Sequence, residues 1–234
     1  MTRTTAVNLP NTITIARICL AVVLVPLLLA DSFALRLTAF ILFLVAAFSD
    51  LWDGYLARSR GLITDLGKLL DPLADKLLLA ATLIPFFLLS HELVPTGGSF
   101  PWRDPWNRGV LPVWVVAVIF GRELFITLFR GYAARRGVVI AAGRAGKLKT
   151  VFQSLAVGAA ILWYALQSAA REQAWNGPVW RGWLLFHLVF TVATLGVAVV
   201  LTLYSMGVYL WKYRGLVAGV PSRGGRRPTD AAGR

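Results

Sequence analysis

The sequence predicts an all-α integral membrane protein with six transmembrane helices and both termini in the cytoplasm. Its composition is 57% hydrophobic and only 15% charged, whereas soluble domains carry roughly 25% charged residues. Its apolar residues form long runs, each close to the roughly 20 residues that a helix needs to cross a bilayer. Its Lys and Arg residues gather in every second connection between these runs, as the positive-inside rule predicts.

The first three predicted spans cover residues 13–30, 35–58 and 69–90. The first contains ICLAVVLVPLLLA and lacks a small-residue cleavage site, so it is interpreted as a retained helix and not as a signal peptide. The second contains LTAFILFLVAAF and the third contains LLLAATLIPFFLL. Both of these spans also include aspartates close to the connection between them, which apolar packing does not explain.

The last three predicted spans cover residues 111–134, 151–168 and 183–210. The fourth combines the apolar run VWVVAVIF with the charged segment GRELFITLFR. After the sixth span the sequence becomes rich in Gly, Pro and Arg, as in PSRGGRRPTD, a composition typical of disorder. We therefore expect a helical domain at 1–214 and a basic, disordered tail at 215–234.

Charge placement predicts the orientation. With six spans, the termini share one side with the connections 59–68 and 135–150, and this side holds most of the Lys and Arg residues. The opposite side has Arg36, Arg103, Arg108, Arg171 and Arg181. It also has the tryptophans of an expected aromatic belt, namely Trp102, Trp106, Trp114, Trp175, Trp180 and Trp183.

The net charge of +13 is explained by this topology and by contact with anionic membrane lipids. No nucleic-acid partner is therefore expected. We expect a multi-pass protein of the inner (cytoplasmic) membrane, with its acidic segment facing the cytoplasm.

Four aspartates near the cytoplasmic ends of the second and third spans are candidate metal ligands. Asp50 and Asp53 are three residues apart on one helix face, and Asp71 and Asp75 are four residues apart on the next helix. Asp65, between the pairs, is assigned to the loop. Neighbouring carboxylates repel one another and charges are costly within a membrane, so a bound cation is expected. Oxygen ligands without nearby His or Cys favour magnesium, manganese or calcium over zinc.

Structural roles for the same residues stay open. Asp71 stands before Pro72, which fits an N-cap followed by proline at the first position of a helix. Asp75 would then be an acidic residue of the first turn, where the helix dipole favours a negative charge. Asp50 and Asp53 have ion pairing with Arg58 or Arg60 as their alternative role.

The motif Asp50-x2-Asp53-Gly54-x2-Ala57-Arg58-x8-Gly67-x3-Asp71-x3-Asp75 resembles the signature of the CDP-alcohol phosphatidyltransferase family at every defined position. Four other segments are similar to the branch of this family that uses glycerol 3-phosphate: NLPNTITIARI, GRELFITLFR, GKLKT and LTLYSMGVYL. The resemblance implies a six-helix membrane enzyme that transfers a phosphatidyl group from CDP-diacylglycerol to an alcohol and releases CMP.

The resemblance also implies roles for individual residues. Two divalent ions, Mg²⁺ or Mn²⁺, would be held by Asp50, Asp53, Asp71 and Asp75. Asp75 would also act as the catalytic base. The CDP-lipid would be bound by Asp50, Gly54, Ala57, Arg58 and Gly67. Family members tend to form homodimers, so a homodimer is expected.

A glycerol 3-phosphate acceptor is a dianion and needs cationic partners. The candidates are Arg122, Arg130, Lys147 and Lys149. Arg122 has a structural ion pair with Glu123 as its alternative role, and Lys149 has anchoring at the cytoplasmic membrane surface.

Other functions stay open at the level of sequence. Phosphatidylglycerol or inositol phosphate is the acceptor in sibling enzymes of the same family, which make cardiolipin or phosphatidylinositol phosphate. Outside the family, the alternatives are a divalent-cation transporter and a non-catalytic membrane protein. A transporter would place its acidic residues near the bilayer midplane, whereas these lie at the ends of spans.

Overall fold

The computed structural model describes residues 9–59, 64–94, 98–102, 106, 108–136 and 144–214. Six α-helices follow one another in this part of the chain. They are α1 (Leu9–Leu29), α2 (Phe33–Ser59), α3 (Asp65–Ser90), α4 (Val113–Arg135), α5 (Arg144–Glu172) and α6 (Pro178–Lys212). The predicted all-α fold is confirmed, and the predicted tail 215–234 lies outside the described residues.

Five of the helices within the described ranges are long and apolar enough to cross a membrane: α1, α2, α3, α5 and α6. The chain is therefore a multi-pass membrane protein. Helix α4 differs because every stretch of 18 residues within it includes Arg122, Glu123 and Arg130. Two of these three charged residues, Arg122 and Arg130, are also predicted to bind the acceptor.

The helices pack in a connected bundle. α1 packs against α2 and α3, α5 packs against α2 and α6, and α4 packs mainly against α6. The centre is filled by buried apolar side chains from several helices, including Leu24, Phe43, Phe86 and Ile161. Phe86 of α3 stacks on Tyr164 of α5 at a ring-centroid distance of 5.7 Å.

A polar cluster joins the α1–α2 turn to the last turns of α5. Arg36, only 1% exposed, donates hydrogen bonds to Ser168 Oγ at 2.6 Å and to Asp31 Oδ1 at 3.4 Å. Arg171 of α5 donates to the same Asp31 oxygen at 2.6 Å. A buried guanidinium requires such partners, so this cluster stabilises one end of the bundle.

Helix α3 begins earlier than the sequence suggested. Thr64 is its N-cap, and the hydroxyl oxygen of Thr64 accepts a hydrogen bond of 3.0 Å from the Gly67 N–H. The interpretation of Asp71 as the N-cap and of Asp75 as an acid of the first turn is therefore wrong, and so is the assignment of Asp65 to the loop. Since Thr64 satisfies the exposed N–H group of the first turn, the Asp71 carboxylate is left for other contacts.

Candidate active site

The first half of α1 carries a stripe of buried polar residues. Asn11, Thr14 and Arg17 are spaced by three residues and are 2%, 1% and 1% exposed, respectively. This spacing places them along one side of the helix, the side that faces α2 and α3. Polar groups in a span are costly unless they are paired, so their partners show what the stripe does.

Arg17 connects the two predicted pairs of metal ligands. Its Nη1 donates a hydrogen bond of 2.6 Å to Asp50 Oδ1 on α2 and one of 3.5 Å to Asp75 Oδ1 on α3. The Arg17 side chain is fully buried, whereas the side chains of Asp50 and Asp75 are 39% and 61% exposed. The guanidinium therefore contacts the carboxylates from the protein interior, and the carboxylates also face outward.

Thr14 contacts Asp71, a third predicted metal ligand. Its hydroxyl lies 2.9 Å from Asp71 Oδ1 and 3.1 Å from the carbonyl oxygen of Pro10. A hydroxyl has a single proton to donate, and the charged carboxylate is the stronger acceptor. Thr14 and Arg17 thus tie α1 to aspartates of α2 and α3.

Asn11 completes the stripe at the start of α3. The Thr64 hydroxyl donates to Asn11 Oδ1 at 3.0 Å, while it accepts from the N–H of Gly67. A Cβ atom at Gly67 would lie 2.8 Å from Asn11 Oδ1 and 3.2 Å from Thr64 Oγ1. Gly67 is therefore the residue that permits α1 and α3 to approach each other here.

Several predicted site residues are placed only in part. Asp53, Gly54, Ala57 and Arg58 fall within α2, and Lys147 falls within α5. Their side chains lie outside the described part of the structure. Their predicted roles stay predictions.

No three His, Cys, Asp or Glu side chains come together at a metal-binding distance among the residues that the structure describes. Asp50 and Asp75 both contact the same nitrogen of Arg17, and Asp71 accepts a hydrogen bond from Thr14. Asp50, Asp71 and Asp75 are thus gathered at one end of the helices and contact residues of α1.

A second polar cluster joins α4, α5 and α6. Arg122 Nη1 donates to Glu123 Oε1 at 3.0 Å, and Arg122 Nη2 donates to Ser205 Oγ at 3.2 Å. Lys149 of α5 forms an ion pair with the same oxygen of Glu123. The structural pair of Arg122 with Glu123, raised as an alternative from the sequence, is therefore present.

The two clusters are close enough to interact. Lys149 has an electrostatic interaction with Asp75 as well as its ion pair with Glu123. Arg130 lies further along α4, where its Nη2 donates a hydrogen bond of 3.0 Å to the hydroxyl of Tyr209 on α6. Arg122 and Lys149 thus lie together on Glu123, whereas Arg130 contacts Tyr209 instead.

Asn11, Thr14 and Arg17 lie in the segment NLPNTITIARI, but no individual role was predicted for them from the sequence. The available signal was an arginine inside an apolar run, which is a functional residue by default. Its partners could not be identified because they lie 33 and 58 residues away in the sequence.

Comparison with known proteins gives one family and several named relatives. The sequence model of the family described as CDP-alcohol phosphatidyltransferase matches residues 7–204. A Bacillus subtilis protein named CDP-diacylglycerol–glycerol-3-phosphate 3-phosphatidyltransferase is 39% identical over 167 residues, which cover 66% of this chain and 77% of the relative.

Two further relatives come from other organisms. A Rickettsia typhi protein of the same name is 34% identical over 155 residues, covering 66% of this chain and 76% of the relative. An Arabidopsis thaliana protein, named CDP-diacylglycerol–glycerol-3-phosphate 3-phosphatidyltransferase 2, is 29% identical over 211 residues, covering 88% of this chain and 79% of the relative. The match to the family model, at residues 7–204, includes the first polar cluster and, of the second cluster, Arg122, Glu123 and Lys149.

Proposed function

Because the chain belongs to the CDP-alcohol phosphatidyltransferase family, we propose that it transfers the phosphatidyl group of CDP-diacylglycerol to glycerol 3-phosphate and releases CMP. The printed names of the bacterial relatives support this donor and this acceptor. The observation that carries the proposal is the approach of Asp50 and Asp75, from two helices, to one nitrogen of Arg17. It gathers acidic residues of the family motif at one end of the bundle.

The family is generally dependent on divalent metal ions. We propose two ions, Mg²⁺ or Mn²⁺, with Asp50, Asp53, Asp71 and Asp75 as their ligands. The described carboxylates fit this role because they are partly exposed oxygen donors on neighbouring helices, and hard divalent ions prefer such donors. When bound, the ions would neutralise the pyrophosphate of the donor and stabilise the attacking and leaving oxygens.

Asp75 is the proposed base. Its side chain is 61% exposed, so an acceptor hydroxyl that arrives from outside the bundle can reach the carboxylate. Asp75 would take the proton of this hydroxyl as the hydroxyl oxygen forms a bond to the phosphatidyl phosphorus. The bond between that phosphorus and the CMP oxygen breaks, and its electron pair leaves with CMP.

The nucleotide end of the donor is proposed to lie along the end of α2 and the start of α3. Gly54 and Ala57 add little bulk to α2, which lets a ligand approach the backbone. Arg58 is proposed to contact the phosphates together with the ions on Asp50. Gly67 supports this site through its close packing on Asn11.

The acceptor phosphate is proposed to bind between α4 and α5. Arg122 and Lys149 converge on Glu123, and Lys149 also interacts with Asp75. A phosphate placed between these cations would lie next to the proposed base. Arg130 and Lys147 are the further proposed cations, and the bond of Arg130 to Tyr209 places it on the α6 side.

The membrane arrangement is part of the same proposal. We infer that α4 also crosses the membrane, which gives six spans in total. We further infer that both termini are cytoplasmic and that the active site faces the cytoplasm at the inner membrane. The packing of α4 against α6 supports the sixth span, since α6 is itself long and apolar enough to span. We also propose residues 1–214 as one catalytic domain, followed by the tail 215–234, and a homodimeric assembly.

The proposal is tested by purifying the protein in detergent and following CMP release from CDP-diacylglycerol in the presence of Mg²⁺. Glycerol 3-phosphate, phosphatidylglycerol and inositol phosphate are supplied in separate reactions. We expect the highest kcat/KM with glycerol 3-phosphate. A preference for one of the other acceptors would move the protein to a sibling activity, and no CMP release with any of them would contradict the proposed reaction.

A further inference from the structure

Arg17 takes no part in the proposed transfer reaction, although it contacts two of the proposed metal ligands. Its side chain is fully buried, and its Nη1 lies between a carboxylate of α2 at 2.6 Å and a carboxylate of α3 at 3.5 Å. The two carboxylates, Asp50 and Asp75, belong to the proposed metal ligands. One buried cation therefore contacts the proposed metal ligands of both helices.

The electrostatics of this arrangement depend on what else is bound. Two carboxylates held near each other repel, and the repulsion increases where the surroundings exclude water. A guanidinium between them compensates part of this charge and orients their oxygens through charge-assisted hydrogen bonds. Because Arg17 is buried and the carboxylates are partly exposed, a divalent ion can approach from the side opposite to Arg17.

We propose that Arg17 is a positioning residue that acts as an internal counter-cation for Asp50 and Asp75, and that it keeps α1, α2 and α3 assembled before a divalent ion binds. This inference rests on the proposed function in one respect, namely that a divalent ion binds to these aspartates. Its consequence concerns the metal-free protein. If Arg17 is neutral, a divalent ion must supply the missing compensation, and the stability of the fold becomes more dependent on that ion.

The test compares the thermal unfolding of wild type and Arg17→Gln in detergent, with EDTA and with saturating Mg²⁺. We expect Arg17→Gln to have a lower Tm in EDTA. We also expect Mg²⁺ to raise its Tm by more than it raises that of wild type, by roughly 2–4 °C. Activity is not the readout, so the result separates positioning of the aspartates from a direct role in the transfer.

Arg36→Gln is the matched control. Arg36 is 1% exposed, as is Arg17, and it pairs with Asp31 at the other end of the bundle. Its replacement should lower the Tm with and without Mg²⁺ and leave the rise caused by Mg²⁺ equal to that of wild type. A general loss of a buried arginine would affect both variants alike.

A second variant covers the case in which Arg17→Gln is not recovered in EDTA. Arg17→Lys keeps the positive charge but has no planar guanidinium to orient both carboxylates, so it compensates them only in part. Mg²⁺ should therefore raise its Tm by more than in wild type, but by less than it would with a neutral side chain. The inference is overturned if Mg²⁺ raises the Tm of the Arg17 variants by no more than it raises the Tm of wild type. It is also overturned if neither Arg17→Gln nor Arg17→Lys folds even in Mg²⁺. A wild type that shows transfer without any need for a divalent ion would instead overturn the proposed metal site and this inference with it.

Discussion

Thr14 of α1 donates a hydrogen bond to Asp71 of α3, with 2.9 Å between the Thr14 Oγ1 and Asp71 Oδ1 atoms. Thr14 is 1% exposed whereas Asp71 is exposed, so this contact forms at the outer edge of the interface between the two helices. The hydroxyl fixes one oxygen of a carboxylate that is a proposed metal ligand. Residues that orient a metal ligand in this way strongly affect metal affinity.

Replacement of Thr14 with Val should weaken the binding of the divalent ion. Valine keeps the shape of the side chain but removes the hydroxyl, so Asp71 loses a hydrogen bond that orients it. We expect the Kd for Mn²⁺ to rise roughly 10- to 100-fold, as measured by titration of the purified protein.

Thr14→Ser is the control for this change because it retains the hydroxyl. Its Kd for Mn²⁺ should stay close to that of wild type. Equal Mn²⁺ affinity in the Val variant and in wild type would show that the orientation of Asp71 does not depend on Thr14.

The aspartates that contact α1 were named from the sequence as candidate metal ligands, whereas Thr14 and Arg17 of α1 were not named as site residues. The aspartates form a dense local motif, and their spacing places them on two consecutive helices. Thr14 and Arg17 instead lie within an apolar segment, and they act on aspartates that are 57 and 33 residues away. Such contacts depend on how α1 packs against α2 and α3, which helical periodicity does not determine.

The helices themselves were largely predictable, because long apolar runs dominate the sequence. The start of α3 was not, because the predicted span began at residue 69 with the apolar run, and the cap provided by Thr64 was not recognised. The contact of Arg122 with Glu123 was considered because the two residues are adjacent, whereas the approach of Lys149 to the same carboxylate required the packing of α5.

Removal of a proposed metal ligand should abolish transfer. Asp50→Asn and Asp71→Asn each replace a charged oxygen ligand with a neutral amide of nearly the same size, which weakens a site for a hard divalent ion. CMP release should fall to background while expression in the membrane is retained. Incubation of wild type with EDTA should have the same effect, and added Mg²⁺ should restore the reaction.

Asp31→Asn is the matched control for the ligand variants. Asp31 belongs to the polar cluster with Arg36 and Arg171 at the opposite end of the bundle, so its loss should reduce stability and leave the dependence on Mg²⁺ unchanged. Normal CMP release by Asp50→Asn or Asp71→Asn would mean that the metal ligands have been assigned incorrectly.

Gly67→Ala should destabilise the protein. The added Cβ would lie 2.8 Å from Asn11 Oδ1, and Asn11 is 2% exposed, so it has little room to move. Excess volume at a packed position costs about 1–3 kcal/mol, which should appear as a lower Tm. Gly207→Ala is the control, since a Cβ there has nothing within 4 Å, and alanine favours a helix over glycine. A Tm for Gly67→Ala at or above that of Gly207→Ala would contradict the close packing of α1 and α3.

The proposed acceptor site depends on cations that already share a carboxylate. Arg122 and Lys149 both contact Glu123 Oε1, which keeps the two positive groups close together in the absence of a substrate. The negative charge of an acceptor phosphate would be attracted to Arg122 and Lys149. Loss of either cation should therefore affect acceptor binding more than donor binding, because the donor is proposed to bind through Arg58 and the aspartates.

Arg122→Gln and Lys149→Gln should each raise the KM for glycerol 3-phosphate about 10- to 100-fold, since a hydrogen bond to a charged group contributes roughly 1.5–3 kcal/mol. The KM for CDP-diacylglycerol should change little.

Arg136→Gln is the control, because Arg136 is exposed just after α4 and stacks on Tyr132. Both KM values are measured from CMP release, with expression level as the check on folding. An acceptor KM that stays at the wild-type value in both variants would place the acceptor phosphate elsewhere. A rise in the donor KM of the same size would instead indicate that these cations bind the phosphates of CDP-diacylglycerol.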